Sequence, residues 1–191
     1  MCGIAGIISR NPNQISRERL KQMTDALAHR GPDGEGFWIN ASNNVGLGHR
    51  RLAIIDLSDA GQQPMHYINR YSITYNGELY NYVELKAELQ QKGYQFRTQT
   101  DTEVILAAYD CWKEQCLQQF DGMFALAIWD EQEQNFFMAR DRFGEKPLYY
   151  FFDGEQFLFA SEMKALWAAA VPKTINQTML LNYIGCLLYT S

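Results

Sequence analysis

Met123-Phe124-Ala125-Leu126-Ala127-Ile128-Trp129 is followed at short intervals by Asn135-Phe136-Phe137-Met138-Ala139-Arg140, Leu148-Tyr149-Tyr150-Phe151-Phe152 and Gln156-Phe157-Leu158-Phe159-Ala160. Each segment is short and rich in apolar and aromatic residues, the composition that suits a pleated, half-buried surface. The links between them are turns such as Asp153-Gly154, too short to hold a crossover helix. Consecutive strands joined in this way must be antiparallel neighbours.

The same grammar extends toward the N-terminus. Residues 2–9 are apolar and β-branched and read as a buried strand, which gives way to the polar turn Arg10-Asn11-Pro12-Asn13. After Ser16, a good N-cap, Leu20, Met23 and Leu27 recur at helical spacing, predicting a helix to about Ala28 that stops at a Gly-Pro break. Strands are predicted at 36–39 and 45–55, then a loop ending in Gln62-Gln63-Pro64, then a strand at 71–75 that Asn76-Gly77 should end sharply. Asn81 should cap a helix carrying Val83, Leu85 and Leu89 and closed by Gly93, and Thr100 a second carrying Val104, Ile105, Ala108 and Trp112. Strands on both sides of a central helix pair, joined by hairpins and not by βαβ crossovers, predict an α+β fold of antiparallel sheets covered by helices.

A chain of 191 residues, 47% hydrophobic and 20% charged, fits one soluble domain with a sizeable core, and 11 Phe, 11 Tyr and 4 Trp make that core aromatic. The net charge of -5 and the lack of any Lys/Arg run argue against a nucleic-acid partner. No apolar stretch approaches the roughly 18 residues that span a bilayer and no signal sequence opens the chain, so the expectation is a cytoplasmic protein without a membrane partner. Cysteines at 2, 111, 116 and 186 match neither a disulfide framework nor metal-binding knuckles; reduced thiols and no metal site are expected.

Cys2 carries the sharpest chemistry. Removal of Met1 would leave a cysteine with a free α-amino group, and groups with ordinary pKa values near ~8 and ~8.5 lie within proton-sharing reach of each other at neutral pH. The amine takes the thiol proton and returns it to a leaving group. On position alone, the plainer reading is a small apolar residue opening a buried strand. Tyr75-Asn76-Gly77-Glu78 offers an Asn amide and a Gly N–H as donors for an oxyanion, beside the plainer reading of a β-turn. Of Arg50 and Arg51, which alternation sends to opposite faces, one could be committed to bidentate binding of a carboxylate, beside the plainer reading of an edge-strand surface charge. Thr100-Asp101-Thr102-Glu103 reads as a capping box, with Asp101 either favouring the helix dipole, facing a substrate ammonium, or both. His29, His49 and His66 fit no triad or metal pattern and read as structural, and Arg140 to Pro147 reads as a charged turn held by internal salt bridges.

Taken together and in order, these pieces resemble the class II glutamine amidotransferases, and within them the N-terminal domain of asparagine synthetases. The stretches that carry the likeness are Met1-Cys2-Gly3-Ile4-Ala5-Gly6, His29-Arg30-Gly31-Pro32-Asp33, Gly48-His49-Arg50-Arg51-Leu52-Ala53-Ile54, Gln63-Pro64-Met65, Asn76-Gly77-Glu78-Leu79-Tyr80-Asn81, Thr100 to Leu106, Asp121-Gly122-Met123-Phe124-Ala125 and Arg140 to Tyr150. The resemblance implies an Ntn-hydrolase fold, a four-layer αββα sandwich of two antiparallel sheets, over residues 2–183. It implies Cys2 as nucleophile with its α-amine as base, and Asn76 and Gly77 as oxyanion hole. Arg51, chosen over Arg50 by the family's Arg-Leu-x-Ile pattern, would hold the α-carboxylate of glutamine. Glu78 and Asp101 would face its α-ammonium, and main-chain groups around Leu52 and Ile54 would line the pocket.

By the same resemblance, the partners are glutamine and a C-terminal synthetase domain, with a second copy of the chain as a candidate. ATP and Mg would serve that other domain and no cofactor this one, since no Ser-Gly-Gly-x-Asp-Ser loop occurs here. Residues 184–191 depart from the family pattern, so the chain is expected to be a fragment with a truncated tail. The ammonia acceptor stays open: aspartate, another acceptor such as a sugar or antibiotic precursor, or none, if the domain is a non-catalytic scaffold. Phe120 to Ala125 and Phe143 to Tyr150 favour the asparagine synthetase branch over glucosamine-phosphate synthase or phosphoribosyl-pyrophosphate amidotransferase.

Overall fold

The computed structural model describes residues 1–53 and 61–189. Nine strands among them form two antiparallel sheets. The first contains β1 (Gly3–Ser9), β2 (Gly34–Ile39), β3 (Val45–Arg51), β8 (Tyr149–Phe152) and β9 (Gln156–Ala160), in the order β2-β3-β1-β9-β8. The second contains β4 (Met65–Tyr67), β5 (Tyr71–Leu79), β6 (Gly122–Asp130) and β7 (Asn135–Arg140), in that order.

Three apolar clusters give the layering. Ile4, Val45, Leu47, Ala125, Ala127, Trp129 and Phe159 pack between the sheets. Ala5, Ile7 and Leu158, the alternate residues of the first sheet, pack outward on Leu20, Met23 and Leu27 in and after α1 (Arg17–Asp25) and on Ala165 and Leu166 of α4 (Met163–Ala168). Tyr71, Ile73, Leu126 and Ile128 pack outward from the second sheet on α2 (Tyr82–Gln91) and α3 (Asp101–Trp112), through Leu85, Leu89, Val104, Ile105 and Ala108. Period-two alternation thus feeds each sheet into two cores, giving the helix–sheet–sheet–helix order expected from the sequence. In the last helix, α5 (Gln177–Tyr189), residues 177–184 are exposed and belong to none of these clusters.

Local signals hold where they depend on near neighbours. The Ser16 and Thr100 hydroxyls accept the backbone N–H groups of Arg19 and Glu103, as N-caps do. Gly93 closes α2 at φ +95.

Elsewhere tertiary pairing overrides the local reading. Asn76-Gly77 does not end its strand: β5 continues to Leu79 because β6 offers an uninterrupted partner, with Asn76 opposite Ala125 and Gly77 opposite Phe124. The capping box forms only its first half. Glu103 accepts instead from the N–H groups of Arg97 and Thr98 and the Thr98 hydroxyl. Asn81 stands at the α2 N-cap position but makes no capping bond; its amide joins Gln119 and Asp121. The Arg140–Pro147 turn is organised by Asp141, which accepts from the N–H groups of Phe124, Phe143, Glu145 and Lys146. Among the described residues, that turn contains no ion pair.

Among the described residues no helix is long and apolar enough to cross a membrane, and no cluster of three or more His, Cys, Asp or Glu is placed to hold a metal.

Candidate active site

At one end of the sandwich the chain enters β1, leaves β3, runs along β5 and enters α3. These four segments enclose a cavity of about 110 Å³ lined by Cys2, Arg51, Leu52, Asn76, Gly77, Glu78 and Asp101, among others. Every residue singled out from the sequence is therefore brought to one place, except Ile54, which lies outside the described residues. Cys2 and Arg51, far apart in the chain, meet here because the antiparallel ladder aligns the start of β1 with the end of β3, Gly3 standing opposite Arg50.

Cys2 is half-buried. Its sulfur accepts the Leu52 N–H at 3.4 Å, and its thiol donates to the Leu52 carbonyl at 3.6 Å. Burial pushes the thiol pKa up; the Leu52 hydrogen bond, the N-terminal charge and Arg51 oppose that push without cancelling it. A nucleophile at this position therefore needs a base to take its proton.

The donors opposite it come from β5. The Asn76 side chain is buried, and its Nδ2 has no hydrogen-bond partner. A buried amide donor left without an acceptor costs about 1–3 kcal/mol, so a free one inside a cavity points to an acceptor supplied by a ligand. Gly77 adds a backbone donor, as strand alternation shows. Phe124, opposite Gly77, spends both its N–H and its carbonyl on Asp141, on the far side of β6. The Gly77–Phe124 pair is thus the non-hydrogen-bonded kind, and the Gly77 N–H points away from β6. On that same side the Tyr75 N–H is taken by Gln63 Oε1 at 2.6 Å and the Leu79 N–H by Asp101 Oδ2 at 3.0 Å. Glycine is required at this place, because a Cβ would sit 2.4 Å from the Met123 carbonyl and 2.7 Å from the Tyr75 ring.

The two arginines divide as alternation predicts. Arg50 faces α1, paired with Asp25 and, at 2.8 Å, with Glu35, while Arg51 lines the cavity. Asp101, 6% exposed, accepts the Tyr75 hydroxyl at 2.8 Å as well as the Leu79 N–H. Burial pushes its carboxyl pKa up, against those hydrogen bonds. A cation placed beside it would favour the charged form.

Three further residues at or beside the cavity are given no site role by the sequence. His49 is 1% exposed and ties the two sheets together, its Nε2 donating to the Tyr75 carbonyl at 3.2 Å; burial pushes its pKa down to about 4, so the ring is neutral. Lys146, read as part of a surface turn, is 6% exposed and lines the cavity, its ammonium 3.4 Å from Met1 Sδ. Arg30 donates from Nε to the Cys2 carbonyl at 3.0 Å. The signal for Lys146 and Arg30 was a long cation inside an otherwise structured segment, which spacing alone does not distinguish from a surface charge.

Comparison with known proteins agrees with this arrangement. The family model described as "Glutamine amidotransferase domain" matches residues 1–190. Asparagine synthetase [glutamine-hydrolyzing] 1 of Bacillus subtilis is 42% identical over 97% of this chain, and asparagine synthetase [glutamine-hydrolyzing] 3 of the same organism 43% identical over 88%. A relative named Amidase chry2, from Gibberella zeae, is 39% identical over 88% of the chain. The chain spans only 29%, 28% and 26% of the lengths of these relatives. Among solved structures, the glutamine phosphoribosylpyrophosphate amidotransferase of B. subtilis superposes with a TM-score of 0.74 at 23% identity, over 88% of this chain and 44% of that one. That likeness is one of fold, the sandwich of two antiparallel sheets between helical layers described above.

Proposed function

This chain belongs to the glutamine amidotransferase domain family, and from that membership we propose that it hydrolyses the side-chain amide of glutamine, with Cys2, freed of Met1, as the nucleophile. The observation that carries the reading is the unpartnered, buried Asn76 Nδ2 in the cavity that Cys2 lines.

The α-amine of Cys2 accepts the thiol proton as sulfur attacks the amide carbon. Charge develops on the carbonyl oxygen, where the Asn76 amide and the Gly77 N–H donate. The C–N bond breaks as the ammonium form of the amine returns the proton to the leaving nitrogen, releasing ammonia and a γ-glutamyl thioester. Water, deprotonated by the same amine, then cleaves the thioester and releases glutamate. Arg51 receives the α-carboxylate of glutamine and Asp101, with Glu78, its α-ammonium. The thiol's raised pKa supports the need for the adjacent amine.

In the full-length parent, a further synthetase domain would consume the ammonia in ATP- and Mg-dependent synthesis of asparagine from aspartate. The names of the two asparagine synthetases of Bacillus subtilis support this acceptor. A different acceptor is favoured by one observation, the relative named as an amidase.

Glutamate release from glutamine by the purified chain, beside Cys2→Ala, tests the proposal. Release that depends on Cys2 supports it; equal release from Cys2→Ala overturns it.

A further inference from the structure

Cys2 is the last residue before β1, and its own position is not fixed by the ladder, which begins at Gly3 opposite Arg50. Its carbonyl is held from outside the strand, by Arg30 Nε at 3.0 Å. The Arg30 side chain is 9% exposed and is itself gripped at its far end, Nη1 donating to Glu162 Oε1 at 3.0 Å. Nη2 between these contacts has no partner, so two bonds alone set the angle of the guanidinium plane.

The register explains why Glu162 stands there. β1 and β9 pair Ala5 with Ala160. The pairing runs on past β9, the Ile4 N–H donating to Ser161 Oγ at 3.0 Å and the Ser161 N–H to the Ile4 carbonyl at 2.9 Å. One more step brings Glu162 beside Gly3, next to Cys2. Glu162 occupies the N-cap position of α4 yet makes no capping bond. Its carboxylate is turned instead to Arg30, to His29 at 2.9 Å and to Lys164 at 3.0 Å. Against the burial that would raise it, Arg30, Lys164 and His29 hold its pKa at about 2, so the charge that anchors Arg30 persists across the neutral range.

We propose that Glu162 is a positioning residue for the nucleophile: outside the substrate cavity, it fixes Arg30, and through the Arg30–Cys2 carbonyl bond it sets where the Cys2 sulfur and α-nitrogen lie. This inference rests on the reading of Cys2 as nucleophile. A merely structural clamp between the end of α1 and the start of α4 would use the same ion pairs but would not transmit to Cys2.

The test uses the full chain processed to begin at Cys2, with Glu162→Ala, Glu162→Gln, Arg30→Ala, Lys164→Ala and the Glu162→Ala/Arg30→Ala pair. Three readouts are taken: kcat and KM for glutamine hydrolysis, melting temperature, and the rate of Cys2 alkylation by iodoacetamide, with Cys111 as internal reference. Glu162→Ala is expected to lower kcat by about tenfold or more with KM within about twofold. It should also change the rate of Cys2 alkylation by about threefold while Cys111 is unchanged. The pair should be no worse than Arg30→Ala alone, because the two residues act in series. Lys164→Ala, which leaves the Arg30 contact in place, should stay within about twofold of the parent, and Glu162→Gln, which keeps an acceptor oxygen, should recover part of kcat. Unchanged kcat and Cys2 alkylation in folded Glu162→Ala, or losses that multiply with Arg30→Ala, overturn the proposal. If Glu162→Ala does not fold, the same comparison in Glu162→Gln decides. If the parent itself releases no glutamate, it is the nucleophile reading that fails, and Cys2 alkylation still decides whether Glu162 positions Cys2.

Discussion

Leu52 and Cys2 are joined in both directions: the Leu52 N–H donates to the Cys2 sulfur at 3.4 Å and the Cys2 thiol to the Leu52 carbonyl at 3.6 Å. The end of β3 thereby holds the sulfur at the mouth of the sandwich, between the first sheet that carries it and the β5 donors of the second. The preceding residue, Arg51, lines the same cavity, so one strand end both holds the proposed nucleophile and places a cation beside it.

The division of labour between Arg50 and Arg51 makes a prediction. Arg51→Ala should raise the KM for glutamine by about 10- to 100-fold with a smaller effect on kcat, the scale of a lost charge-assisted hydrogen bond pair. Arg50→Ala removes ion pairs to Asp25 and Glu35 on the outer face and should leave KM unchanged. Steady-state kinetics of the two variants check this; an equal KM for Arg51→Ala and the parent would refute the carboxylate assignment.

Asn76 should show the reverse pattern. Asn76→Ala removes a donor aimed at the developing oxyanion, so kcat should fall by about 100- to 1,000-fold while KM moves little. Because Nδ2 makes no hydrogen bond within the protein, its loss should leave the melting temperature close to that of the parent. A large fall in melting temperature would assign Asn76 a structural role instead.

His49 should make stability depend on pH. Its pKa is held at about 4 by burial, below the ordinary 6.5. Between these values the unfolded chain binds a proton that the folded chain does not, so stability rises with pH across this window and is lost as pH falls from 6.5 toward 4. The full interval corresponds to about 3 kcal/mol. Urea unfolding of the parent and of His49→Gln at pH 7 and pH 4.5 isolates the contribution: the parent should lose more stability than the variant. Equal losses would mean that His49 titrates normally.

These site residues differ in how much of them a sequence can display. Strands Asn135–Arg140 and Gln156–Ala160 agree with the sequence reading to the residue, because tight hairpins join them to β6 and β8; the expected pairing of β7 with β8 fails, since the link between them crosses from the second sheet to the first and the two strands are not neighbours. Ser16 and Thr100 were readable as caps, since a cap needs only residues within three positions. Asn76-Gly77 has the sequence of a turn but the conformation of a strand, because its pairing is set by β6, more than forty positions away. β4 has only 3 residues, too few for any periodicity to show, and the sequence reading assigns residues 65–67 to no element. The Glu103 carboxylate left its predicted capping bond for the Arg97–Thr98 backbone, a choice that the loop before α3 imposes. Lys146 and Arg30 enter the site through backbone geometry, the Asp141-centred turn for one and the Cys2 carbonyl for the other.

The central claim is that the α-nitrogen of Cys2 is the base. The most direct measurement compares glutamate release by two preparations of the same chain, one verified by mass spectrometry to begin at Cys2 and one retaining Met1 through a blocked processing step. The account predicts Cys2-dependent release from the first and none from the second, where the nitrogen is locked in a peptide bond and Met1 lines the cavity. Equal release from the chain that retains Met1 would contradict it.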